Sequence, residues 1–112
     1  MVTAESTSPT TTTAIRVFLD DVRPAPEGWI LVRWPSEVIA LLEAGEVAEL
    51  SLDHDLGDDK ITGYDVLVWL EEAVAMRGFV PPTIRIHSAN VVGRARMEQA
   101  IASIERLAAR KP

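Results

Sequence analysis

Apolar and polar residues alternate with two different periods along this chain. Ile15-Arg16-Val17-Phe18-Leu19 reads as a strand, and so do Trp29–Arg33, Glu49–Asp53 and Thr83–His87. Between them the spacing changes to that of helices. Pro35 suits a helix start, Val38, Ile39, Leu41 and Leu42 supply a buried stripe, and Gly45 ends it. A second helix is predicted from about Tyr64 to Arg77, with Val66, Leu67, Leu70, Ala73 and Val74 on one face. Pro81-Pro82 breaks it. A last helix carries Met97, Ile101, Ile104 and Ala108. Arg23–Gly28, with two prolines, and Gly57–Gly63 read as loops. Residues 1–14, with Thr10-Thr11-Thr12-Thr13, have too little to bury and are predicted to be a disordered tail before a single domain over 15–112.

Strands alternating with helices imply an α/β fold with parallel strands and crossover helices. In such sheets ligands bind beyond the carboxyl ends of the strands. Three of the predicted strands end in chemistry: Asp20-Asp21 after the first, Asp53-His54-Asp55 after the third, and His87-Ser88-Ala89-Asn90 after the fourth. Distant chain positions therefore converge on one sheet edge.

The composition adds limits. The chain has 112 residues, enough for one core, no cysteine and a net charge of −6. Without cysteine there is neither a disulfide framework nor a thiolate metal site, and a cytoplasmic location is expected. No apolar run approaches the length of a membrane span, and the N-terminus lacks the pattern of a signal peptide. Residues 1–76 hold fifteen acids against four bases, whereas residues 77–112 hold seven bases against two acids. A basic flank beside an acidic pocket suits an anionic ligand, and the acidic total argues against tight duplex DNA binding.

Carboxylates that converge repel one another and need a cation, a proton or a basic partner. Asp20, Asp21 and Asp55 are the expected ligands of a divalent cation, with magnesium as the oxygen-preferring candidate. His54, flanked by Asp53 and Asp55, suits a general acid or base with a carboxylate orienting its ring. His87 is the second imidazole. Asp53 or Asp55 takes the orienting role. Ser88 or Asn90 suits a helix N-cap, and the same helix start, with Arg94 and Arg23 nearby, suits phosphate binding. Tyr64 and the three tryptophans read as core or rim packing.

The run from Ile15 to about Ile104 resembles a receiver domain, with Asp20-Asp21 as its acidic pair and Asp53 or Asp55 in the region of its phosphoacceptor. The receiver's first helix and its fifth strand–helix unit are missing, and neither histidine belongs to its pattern. Phe18-Leu19-Asp20-Asp21-Val22-Arg23-Pro24, Ser51-Leu52-Asp53-His54-Asp55-Leu56-Gly57, Thr62-Gly63-Tyr64-Asp65 and His87-Ser88-Ala89-Asn90 resemble the cyclic-phosphate processing receiver-like family. The resemblance implies a truncated flavodoxin-like fold of about four parallel strands and three helices. It also implies a phosphoesterase acting on 2′,3′-cyclic phosphate RNA ends or cyclic nucleotides through His54, His87 and Asp53. The alternatives are a degenerate receiver phosphorylated on aspartate and a non-catalytic nucleotide- or partner-binding module. A sheet edge without its fifth strand makes a homodimer a further expectation.

Overall fold

The computed structural model describes residues 14–58 and 60–110, so most of the expected tail lies outside the described residues. Among the described residues nine elements follow in order: β1 (Ile15–Leu19), β2 (Ile30–Val32), α1 (Pro35–Glu43), β3 (Val47–Leu52), β4 (Asp55–Asp58), β5 (Ile61–Thr62), α2 (Tyr64–Arg77), β6 (Thr83–Ile86) and α3 (Val91–Ala109). Four strands form a parallel sheet in the order β2-β1-β3-β6. This is the truncated receiver-like α/β arrangement expected from the sequence, with no helix between β1 and β2.

Parity decides which side chains face the helices. Val17, Leu19, Leu50 and Leu52 are all fully buried. They join Val38 and Leu42 of α1, Val66, Leu67 and Leu70 of α2, and Met97 and Ile104 of α3 in one core. The intervening residues of the same strands face the other way. There, Glu49 pairs with Arg16 at 3.4 Å and with Arg85 at 3.5 Å, Arg16 lies over the Trp29 ring, and Trp29 meets Phe18 edge-on. Parallel sheets usually carry helices on both faces. Here a charged row and an aromatic cluster finish the second face, among the described residues.

Helix boundaries follow local chemistry. Glu37 accepts a hydrogen bond from the Trp34 backbone at the start of α1, and Gly78, in the left-handed region, ends α2. Asn90 caps α3 by accepting from Gly93 N at 2.8 Å. One segment departs from expectation. The predicted loop over 57–63 takes part in an antiparallel hairpin of β4 and β5, with Asp55 opposite Thr62. Buried Leu56 and half-buried Ile61 pin it to the core, and Gly57, at φ +81°, lies in the irregular stretch between the pairs.

Candidate active site

Register builds the site. Leu19 pairs with Val32 and Leu52, and Leu52 pairs with Ile86, so the four strands end level. The next residue of β1, β3 and β6 continues the ladder: Asp20 N donates to Val32 O, Asp53 N to Leu19 O, and His87 N to Leu52 O, at 3.0, 3.1 and 3.0 Å. Asp20, Asp53 and His87 therefore stand side by side. Parity puts them on the side of Phe18 and Ser51, away from the helices.

Asp20 is 1% exposed. Its Oδ1 accepts from Val22 N at 2.8 Å and Arg23 N at 2.9 Å. Its Oδ2 meets Arg23 Nη1 and His87 Nε2, each at 3.0 Å. Burial pushes this carboxyl upward, but the backbone N–H groups of Arg23 and Val22, with the Arg23 and His87 side chains, outweigh it and the net shift is down. Asp53 is 7% exposed. Burial, followed by the charge of Asp20, raises its carboxyl above the ordinary value. Two neighbouring carboxylates are thus driven apart in acidity. Arg23 Nη1 also reaches Asp53 Oδ2 and His87 O, each at 3.4 Å, so one guanidinium bridges the cluster.

His87 is held on three sides. Its ring stacks on Phe18, centroids 4.0 Å apart and planes within 6°, and Nδ1 lies 2.7 Å from Ser51 Oγ. Burial lowers its basicity despite the Asp20 charge. A neutral ring beside an ionised Asp20 carries its proton on Nε2, and Nδ1 then accepts from the Ser51 hydroxyl. Ser51 went unrecognised in the sequence. Its signal was parity: it is the one polar residue inside Leu50-Ser51-Leu52, two positions before Asp53 on the same face.

His54 belongs to a different network, by parity on the helix side. Nδ1 lies 2.9 Å from Asp55 Oδ1, which requires the ring N–H to donate there. Among the described residues Nε2 has no hydrogen-bond partner. The Asn90 side-chain amide donates to the same carboxylate at 3.2 Å, which ties the pair to the start of α3. The His54 hydrogen bond, joined by that amide, holds the Asp55 carboxyl below its ordinary value. Two glycines make room for this arrangement. A Cβ at Gly93 would stand 2.5 Å from His54 Cγ, and one at Gly63 would collide with the Asp53 carbonyl oxygen.

A cleft of about 360 Å³ opens between these networks, lined by Asp20, Asp21, Val22, Arg23, Asp53, Asp55, Gly57 and Ala89. The expected site residues divide around it. Asp20, Asp21, Arg23, Asp53 and Asp55 line it, and His54 and His87 are each hydrogen-bonded to one of its acids. The expected cation ligands regroup: Asp20, Asp53 and His87 bring ligand atoms within 4.8 Å of one another, whereas Asp55 is engaged by His54 and Asn90. The phosphate-binding expectation meets competing partners. Ser88 Oγ accepts from Asn90 N, Asn90 caps α3, and Arg94 turns to Glu98 and the Ile86 carbonyl.

A parallel sheet with an acid closing β1 and another closing β3, both opening on one cleft, defines a receiver-like domain. Residues 15–103 match the cyclic-phosphate processing receiver domain family, and the chain belongs to that family. No significant match was found among curated proteins or solved structures. No helix among the described residues is long and apolar enough to cross a membrane.

Proposed function

We propose that this domain is a phosphoesterase that opens cyclic phosphates, with the acid-lined cleft as its active site and the His54–Asp55 pair as its proton carrier. The carrying observation is that pair. Asp55 lines the cleft and accepts from His54 Nδ1, so that in the neutral ring Nε2 offers a lone pair. A neutral imidazole oriented by a carboxylate is suited to take a proton from water. Arg23, on the other wall and 48% exposed, offsets charge that develops on the phosphorus oxygens. Family membership supports cyclic phosphates as the substrate class. His87, with both ring nitrogens engaged, is assigned to holding the acid cluster.

Four carboxylates line the cleft against one guanidinium, so a phosphate anion needs further positive charge to enter. Asp20, Asp53 and His87 would hold a divalent cation. Such an ion, when bound, neutralises phosphate charge and polarises a phosphoryl oxygen.

The test is turnover of 2′,3′- and 3′,5′-cyclic nucleotides by the purified chain, with and without divalent cations. Formation of a phosphomonoester is expected, and no turnover of either under any of these conditions would sink the proposal. The receiver alternative draws on Asp53, which lies in the cleft beside Asp20 and Asp21. A mass increase of one phosphoryl group after incubation with a small phosphodonor would favour it.

A further inference from the structure

We propose that Ser51 is a positioning residue that lets His87 serve as a metal ligand, and that the cluster therefore takes a transition-metal cation in preference to magnesium. The inference rests on the cation site of the proposed function and deepens it. Magnesium is the expectation from carboxylates alone, since it prefers oxygen donors in near-ideal octahedral geometry. The assembled set differs, because its third member is an imidazole, which suits zinc and related ions.

His87 cannot bind a cation in the state described. Its Nε2 proton points to Asp20 Oδ2, the oxygen a cation would share. For Nε2 to offer a lone pair, the proton must reside on Nδ1. A ring proton moves there only if something accepts it. Ser51 Oγ stands at 2.7 Å and is buried, and a hydroxyl both donates and accepts. Free of metal, Ser51 donates to Nδ1; with metal, it accepts from Nδ1–H. The neutral ring changes tautomer, with no net proton gained or lost by it. Stacking on Phe18 holds the ring in one plane through the change, so Nε2 keeps its direction. Arg23, bridging Asp20 and Asp53, is the resident counterion that the metal displaces, and its exposure gives it room to leave.

A partner that orients a ligating histidine typically contributes about 10–100-fold in metal affinity. The experiment titrates the full chain with Zn²⁺ and, separately, with Mg²⁺ by calorimetry, for wild type, Ser51→Ala and Ser51→Thr. In parallel, ¹⁵N spectra of the His87 ring report its tautomer. Tighter Zn²⁺ than Mg²⁺ binding, a shift of His87 from Nε2–H to Nδ1–H on adding Zn²⁺, a loss of about 10–100-fold in Ser51→Ala and recovery in Ser51→Thr are expected. Equal or tighter Mg²⁺ binding, an unchanged His87 tautomer, or undiminished Zn²⁺ affinity in Ser51→Ala would each overturn the inference. Circular dichroism checks that each variant is folded. Full turnover of cyclic phosphate in excess chelator would overturn it too, while leaving the phosphoesterase reading intact. Zn²⁺ binding as expected without turnover would do the reverse.

Discussion

Asp20 and Asp53 differ by environment, and stability should show it. Asp20 is held ionised, so its contribution is present above the ordinary carboxylate value and is lost as pH falls through its lowered one. Asp53 is the opposite case. Its raised value means that the fold favours the protonated form, so its contribution is present at acid pH and lost as pH rises through that value. In chelator, Asp53→Asn should raise the melting temperature at neutral pH, and the gain should vanish near pH 3. Asp20→Asn should lower the melting temperature at neutral pH, with a smaller deficit in acid. Melts at both pH values decide the signs. The glycines offer a second check. Gly63→Ala places a methyl group against the Asp53 carbonyl, and about 1–3 kcal/mol of stability should be lost in urea titration. The convergence of Asp20, Asp53 and His87 on one sheet edge was legible in the chain, because each directly follows an apolar run. Ser51 was not, because a lone serine in a strand looks like any small residue until its register with His87 is known.

At the level of elements, α3 does two tasks with one residue. Asn90 caps the helix through Gly93 N and steadies Asp55 through its amide. Asn90→Ala should cost about 1 kcal/mol of stability for the lost cap. It should also lower turnover more than that loss explains, since Asp55 loses an orienting partner. Thermal melts and steady-state rates on one preparation separate the two effects. Strand and helix order was readable from periodicity, including the Pro35 start and the break at Pro81-Pro82. The β4–β5 hairpin was not. Its apolar anchors, Leu56 and Ile61, are single residues among glycines and acids, too few to display a period.

Across the whole molecule, the sheet has an apolar face under three helices and a polar face finished by charge pairs. Stability should divide the same way. Leu50→Ala, on the helix side and fully buried, should cost about 2–5 kcal/mol. Glu49→Ala, its neighbour on the open face, should cost less than about 1 kcal/mol, as exposed ion pairs do. Denaturant midpoints of the two variants provide the comparison. The same division explains the site, because level strand ends bring the acid cluster to the cleft from one side of the sheet and His54 to Asp55 from the other. The most direct test of this account is ³¹P spectroscopy of a cyclic nucleotide incubated with wild type and with His54→Ala. Wild type should convert the cyclic phosphate signal into that of a monoester, and His54→Ala should slow the conversion about 10²–10⁴-fold while remaining folded. A cyclic phosphate left unchanged by wild type, or converted equally fast by His54→Ala, would contradict it.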